Sequence, residues 1–82
     1  MKLFFKKDGC EEILIAEPSS KKEVVETIKS YLKENNYQYY YMSLWEEEGR
    51  LFVDVGSYTE NFFVEGISFE EWTKEKKEFL LQ

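Results

Sequence analysis

The sequence predicts one α+β domain over residues 1–82, in which an antiparallel sheet carries two helices in the order ββαβββα. Three observations lead to this prediction. Short runs rich in β-branched and aromatic residues are separated by glycine-containing dipeptides of the kind found in hairpin turns. Two serines stand where helix N-caps are expected, each followed three residues later by glutamate. The 82 residues include one proline and no linker-like segment, so the chain has room for one core.

The first hairpin is predicted from residues 3–7 and 11–16, which flank Asp8-Gly9. This dipeptide tolerates positive φ, which suits a two-residue type I′ turn. The cross-strand pairs expected from such a turn are Phe4 with Ile13, Phe5 with Glu12 and Leu3 with Leu14. Both faces of this hairpin would therefore carry apolar side chains.

The first helix is predicted to begin after Pro18, with Ser20 as N-cap and Glu23 completing a capping box. Its apolar stripe consists of Val24, Val25, Ile28, Tyr31 and Leu32. Asn35-Asn36 is expected to end the helix, because asparagine enters the left-handed conformation more easily than most residues.

The second hairpin is predicted from residues 37–46 and 51–56, joined at Glu48-Gly49. The pairs expected from a two-residue turn are Leu44 with Val53, Met42 with Val55, Trp45 with Phe52 and Ser43 with Asp54. One face is then aliphatic, and the other is aromatic and polar and includes Tyr39 and Tyr41. Residues 61–65 are expected to form either a third strand of this sheet or an edge strand.

A last helix is predicted after Gly66, with Ser68 as N-cap, Glu71 three residues later and Ile67 packing on Trp72. Its apolar stripe, interrupted by Lys76, is Phe69, Trp72, Phe79 and Leu80. The structural interpretation of this stripe is that Trp72 and Phe79 cover part of the aromatic face of the second hairpin. The competing interpretation leaves that face partly exposed.

The composition argues against an enzyme, a cofactor site and a metal site. Histidine is absent, which removes the usual general base at neutral pH and the common zinc ligands. The four glycines fall at turns or strand ends rather than in a phosphate-binding loop. A carboxylate pair from Asp54, Glu60 and Glu65 is a weaker alternative, because 82 residues rarely build a deep cleft as well as a core. A hard-cation site from Asp54, Ser57, Thr59 and Glu60 is another alternative, and a polar surface loop explains these residues better. The lone Cys10 forms no internal disulfide.

The same composition predicts a cytoplasmic protein. A single cysteine suits a reducing compartment, and no apolar run is long enough for a secretory signal or a membrane span.

The charge is concentrated in one stretch. The net charge of the chain is −6, and residues 46–71 alone hold eight acids and one arginine. Such a stretch argues against nucleic acid as a partner, although tyrosines and Trp45 on a sheet face resemble the base-stacking surfaces of RNA-binding modules. Aromatic residues rimmed by carboxylates favour a protein partner, in particular a basic one.

The sequence therefore predicts a non-catalytic protein-binding module. Its candidate contact residues are Tyr39, Tyr41, Trp45, Phe52, Asp54, Tyr58 and Glu60. A homodimer formed through the same aromatic face is the main alternative.

A resemblance to a group of known proteins rests on residues 54–63, which read Asp-Val-Gly-Ser-Tyr-Thr-Glu-Asn-Phe-Phe. It also includes Trp45 and the Glu-Gly-Arg-Leu turn that precedes this segment. The second half of the chain resembles small proteins of uncharacterised function that prophages and mobile elements of Gram-positive bacteria carry. The resemblance implies a regulatory or inhibitory interaction protein and transfers no functional residue.

Overall fold

The structure, a computed structural model, describes residues 1–74 and has the predicted α+β class and element order. The strands are β1 (Lys2–Lys7), β2 (Ile13–Ala16), β3 (Ser43–Glu47), β4 (Arg50–Asp54) and β5 (Glu60–Glu65). Helix α1 (Lys21–Glu34) lies between β2 and β3, and helix α2 occupies residues 69–74 of the described chain. The predicted stripe residues Lys76, Phe79 and Leu80 lie outside the described residues.

The five strands form one antiparallel sheet in the order β2-β1-β5-β4-β3. Strand β5 pairs with β4, which confirms its prediction as a third strand beside the second hairpin. The alternative prediction of an edge strand is wrong, since β5 also pairs with β1 along six residues and lies at the centre. Apolar residues on both faces of β5, Phe62 and Val64 on one and Phe63 on the other, suit this central position.

The predicted register of the first hairpin is wrong. Phe4 lies opposite Leu14 and Phe5 opposite Ile13, with a bulge before Leu3 pairs with Ala16. A type I′ turn needs positive φ at both central residues, but only Gly9 has it, at 81°. The connection therefore extends to Ile13, and the register differs from that of a two-residue turn.

The second hairpin has the predicted register, with Trp45 opposite Phe52 and Leu44 opposite Val53. Its turn meets the type I′ requirement, because φ is 51° at Glu48 and 81° at Gly49. The predicted strand start at residue 37 is wrong, since β3 begins at Ser43.

Residues 37–42 leave the strand ladder because of how they meet the end of β4. The backbone N–H groups of Tyr40 and Tyr41 both point to the carbonyl oxygen of Val55, at 3.1 and 3.4 Å. Two donors sharing one acceptor do not continue the regular alternation of an antiparallel ladder.

Both ends of α1 follow local capping rules. The Ser20 hydroxyl accepts from the Glu23 N–H at 3.2 Å, while the Glu23 carboxylate accepts from the Ser19 N–H at 2.8 Å. At the other end Asn36 has φ of 60°, and the Tyr37 N–H donates to the Leu32 carbonyl at 2.8 Å. These are the contacts of a Schellman motif, so the predicted asparagine stop is confirmed.

The two helices pack on the same face of the sheet. The core cluster contains Val24, Ile28 and Leu32 of α1 together with Trp72 of α2. Its other members are Val55, just after β4, and the strand residues Leu3, Phe5, Leu51, Val53, Phe62 and Val64. Because successive side chains of a strand point to opposite faces, the alternating residues lie on a second face. Neither α1 nor residues 69–74 pack on that second face, here called the open face.

Replacing Glu48 by asparagine is expected to stabilise the protein by about 0.5–1 kcal/mol, because a left-handed conformation costs most L-residues about 1–2 kcal/mol and asparagine less. The midpoint of thermal unfolding, followed by circular dichroism, should rise by roughly 2–8 °C. Glu48→Gln is the control, since it removes the charge and keeps the backbone cost. An equal rise in Glu48→Gln would show that charge relief, and not φ, is responsible.

Candidate functional site

A line of apolar side chains crosses the open face from one edge of the sheet to the other. The strand registers place Trp45 opposite Phe52, Phe52 opposite Phe63, Phe63 opposite Phe4, and Phe4 opposite Leu14. Directly opposed residues of antiparallel strands point to the same face, so these five side chains form one continuous line. We call it the aromatic row. Its ends are the most exposed, with Trp45 at 42% and Leu14 at 49%.

The rings of the aromatic row contact one another along the β3 side. Trp45 stacks on Phe52 with ring centroids 4.6 Å apart, and Phe52 meets Phe63 edge-on at 5.1 Å. Such pairs contribute about 0.5–1.5 kcal/mol beyond their buried area. The Trp45 indole N–H donates to the Glu47 carboxylate at 3.3 Å, which fixes the orientation of the exposed ring.

Arg50 lies across the middle of the aromatic row. Its guanidinium carbon is 4.1 Å from the Phe63 ring centroid, within cation–π distance. The same guanidinium group bonds to Glu12 at 2.6 Å and to Glu65 at 3.5 Å. Arg50 thus ties the second hairpin to β2 and β5, and it covers part of Phe63.

Charged residues of both signs flank the aromatic row. Strand alternation places the cations Lys2, Lys6 and Arg50 and the acids Glu12, Glu47, Asp54 and Glu65 on the open face. The acids of residues 46–71 are therefore divided between the two faces. The predicted carboxylate rim is present only in part.

Four of the remaining acids lie near the Trp45 end. The Glu46 carboxylate accepts from the Phe69 N–H at 3.5 Å, which brings the β3–β4 turn to the start of α2. Glu48, Glu70 and Glu71 belong to these same two segments, and all three are exposed. This end of the molecule therefore carries several exposed carboxylates.

Asp54 has a structural role beside the aromatic row. One carboxylate oxygen accepts from the Gly56 N–H at 3.0 Å, and the other accepts from the Tyr41 hydroxyl at 3.2 Å. Asp54 thereby holds Tyr41 and the chain after β4 against the sheet.

Three of the predicted contact residues lie away from the row. The Lys29 ammonium of α1 is 5.3 Å from the Tyr39 ring, so Tyr39 faces the helix and not Trp45. Tyr58 is fully exposed in the loop before β5. Glu60 is 8% exposed, lies on the helix-bearing face and accepts from the Ser57 hydroxyl at 2.8 Å. Trp45, Phe52, Asp54 and Tyr41 are the predicted residues that the structure brings together.

Sequence reasoning missed Phe4, Phe63, Leu14 and Arg50. The signal for Phe4 and Phe63 was that apolar residues occupy both the even and the odd positions of β1 and β5. Both faces of these strands therefore carry apolar side chains. Their alignment with Trp45 depends on β5 lying between β1 and β4. For Arg50 no sequence signal exists, because its partner Glu12 is 38 residues away.

No family model, curated protein or solved structure matches the chain. Functional interpretation therefore rests on the geometry of the described residues. Within residues 1–74, no group of three or more histidine, cysteine, aspartate and glutamate side chains could hold a metal ion. No helix in the same range is long and apolar enough to cross a membrane.

The pKa of Tyr41 is raised above the ordinary value, first because its hydroxyl donates to Asp54 and then because the Asp54 charge opposes phenolate formation. The hydrogen bond is therefore intact below the ordinary tyrosine pKa of about 10 and is lost as pH rises through the folded-state pKa. NMR titration of the tyrosine rings should show Asp54→Asn lowering the pKa of Tyr41. Tyr31 is the internal control, because burial is the main cause that raises its pKa. An unchanged Tyr41 titration in Asp54→Asn would contradict the assigned hydrogen bond.

Proposed function

We propose that the protein is a non-catalytic protein-binding module whose contact surface is the aromatic row. The supporting observation is that five apolar side chains form a continuous line on a face against which no described helix packs. Exposed apolar patches of this kind mark interaction sites on soluble proteins. Tryptophan and phenylalanine bury a large area with few rotatable bonds, which is why aromatic residues are enriched at the centres of interfaces.

The partner is expected to be basic near the Trp45 end. Glu46, Glu48, Glu70 and Glu71 surround that end, and the chain carries a net charge of −6. Complementary charge around an apolar centre raises the rate of association and selects among partners. The proposal includes the regulatory or inhibitory role that the resemblance to prophage and mobile-element proteins implies, and a cytoplasmic location.

Affinity capture from a lysate of the source organism tests this proposal. The wild-type chain and Tyr40→Ala should retain the same protein, whereas Trp45→Ala should lose it. Truncation of an interface tryptophan costs about 2 kcal/mol or more, which corresponds to roughly a thirtyfold weaker Kd in reconstituted binding. Tyr40 is a suitable control because it is exposed and aromatic but lies outside the aromatic row. Equal retention by Trp45→Ala and the wild-type chain would contradict the proposal.

Two alternatives use the same face. In a homodimer the aromatic row would be the interface, so light scattering would give twice the monomer mass for the wild-type chain and the monomer mass for Trp45→Ala. The second alternative, nucleic-acid binding, is disfavoured by the charges of the open face. That face has four carboxylates and three cations, and one of the cations, Arg50, is already bonded to two of the carboxylates. Single-stranded oligonucleotides are therefore expected to show no retardation at low salt.

A further inference from the structure

A second surface lies where β2 meets α1. A groove of about 370 Å³ runs between this edge strand and the helix. It is lined by Ile15, Glu26, Thr27, Ser30, Tyr31 and Glu34. None of these residues belongs to the aromatic row.

The strand beside the groove has an unpaired outer edge. In the described part of the chain β2 pairs on one side only, with β1. The four residues of β2 contain no charged residue and no proline, which are two of the features that commonly protect edge strands. Ile13 is 47% exposed at this edge. An unpaired strand edge beside a groove that offers Ile15 and the Tyr31 ring is an arrangement that allows an extended peptide to add as a strand.

The acids of α1 that line the groove are Glu26 and Glu34, and no lysine of this helix lines it. The Lys29 ammonium is directed at the Tyr39 ring instead, at 5.3 Å. Within residues 1–74, the ion pair of Glu26 is an exposed 4.0 Å contact with Lys22, which contributes little. The rim of the groove is therefore acidic.

Acids also flank the strand itself, with Glu11 before and Glu17 after β2, both exposed. Self-pairing of two β2 edges would place these like charges near each other, which disfavours a second copy of the chain as the occupant. The same charges attract a cationic segment.

We propose that the outer edge of β2 and the adjoining groove bind an extended, basic segment of a partner protein as a sixth strand. The backbone of the segment pairs with β2, an apolar side chain packs against Ile15 and Tyr31, and lysine or arginine side chains reach Glu26 and Glu34. The dimensions agree, because eight residues of helix between these glutamates span about 12 Å and four extended residues span about 13 Å. This inference goes beyond the proposed function, since it assigns a separate surface.

The probe is a fluorescein-labelled peptide of about seven residues in which one face of the extended chain carries a valine between two lysines and the other face carries threonines. Fluorescence anisotropy should show binding of this peptide and none of its counterpart with glutamate for lysine. Two further versions of the peptide carry backbone N-methyl groups at every second residue. In one phase the odd-numbered residues are methylated, and in the other phase the even-numbered residues are. The phase that directs its methyl groups at β2 should lose binding, and amide hydrogen exchange of residues 13–16 should slow when the parent peptide binds.

Matched charge reversals test the location. The double variant Glu26→Lys with Glu34→Lys should weaken binding roughly tenfold or more at low salt. The control, Glu48→Lys with Glu70→Lys, changes the net charge equally at the far side of the sheet and should bind like the wild-type chain. Circular dichroism checks that both double variants retain α1.

Several results would overturn the proposal. The first is that the basic peptide does not bind at concentrations up to about 1 mM. The second is equal binding of the two N-methylated peptides, and the third is an equal weakening of peptide binding in the two double variants. Trp45→Ala should bind the peptide normally. A loss of binding in that variant would assign the peptide to the aromatic row and reject the β2 edge, whereas capture of the partner protein tests the aromatic row independently.

Discussion

Phe62→Ala is expected to remove a large part of the folding free energy of the domain. Phe62 is fully buried in the central strand, and its ring lies 5.2 Å from that of Phe5 and 6.0 Å from that of Tyr31. Truncation of a buried phenylalanine costs about 3–5 kcal/mol. The whole domain is stabilised by roughly 4–12 kcal/mol, taking about 0.05–0.15 kcal/mol for each residue. Urea unfolding at low temperature, followed by circular dichroism, measures the loss.

Phe63→Ala is the matched control, because it makes the same change one residue away on the open face. Phe63 is only partly buried, and its truncation removes the ring contacts with Phe52 and Arg50, so a cost of about 1–2 kcal/mol is expected and the variant should remain folded. The comparison also bears on function. If Phe63→Ala destabilised the protein as much as Phe62→Ala, the aromatic row would be a second core and its proposed role in binding would be rejected.

Gly56→Ala is expected to destabilise the protein by about 2–4 kcal/mol, through backbone strain and overpacking together. Gly56 has φ of 90°, and an added Cβ would lie 2.6 Å from the Tyr40 Cβ and 3.0 Å from the Tyr41 ring. Relief of this clash requires residues 40–41 to move away from the end of β4. The Tyr41–Asp54 hydrogen bond should then be lost, which the Tyr41 titration would report.

Gly9→Ala separates the two contributions. Gly9 has a similar φ of 81°, but an added Cβ would meet no atom within 4 Å. Its cost should be that of the left-handed backbone alone, about 1–2 kcal/mol. Thermal or urea unfolding of both variants gives the difference. Equal costs would show that Tyr40 moves freely and that its packing on Gly56 contributes nothing to stability.

The two predictions together divide the molecule into parts with different roles. The helix-bearing face contains the fully buried residues and provides most of the stability. The open face contains half-exposed rings that contribute less to folding, so they are free to serve in binding. A variant such as Trp45→Ala can therefore be used to test binding in a folded protein.

The sequence predicted correctly those elements whose conformation depends on near neighbours. Ser20 and Ser68 cap their helices, and the Glu48-Gly49 turn sets the register of the second hairpin. Asp8-Gly9 looked equally suitable for a two-residue turn. It failed because the adjoining chain is held elsewhere, with the Asp8 N–H donating to the carbonyl of Thr59 at 2.7 Å.

The aromatic face was predicted in part for the same reason. Trp45 and Phe52 are partners within one hairpin, so alternation alone placed them on one face. The prediction that Trp72 covers this face is wrong, since Trp72 lies in the core cluster on the other face. Alternation cannot say on which side of a sheet a later helix will pack.

The sequence by itself therefore determined the α+β class, the capped helices, the second hairpin and the apolar stripe of α1, because each depends on hydrogen bonds and periodicity over a few residues. Only the tertiary structure decided the central place of β5, the joining of Phe4 and Phe63 to Trp45, and the packing of α1 and residues 69–74 on the face opposite the aromatic row. These features arise from pairing between residues about 60 positions apart, as with Phe4 and Phe63. Such pairing follows from the burial of the whole chain, and no local pattern encodes it.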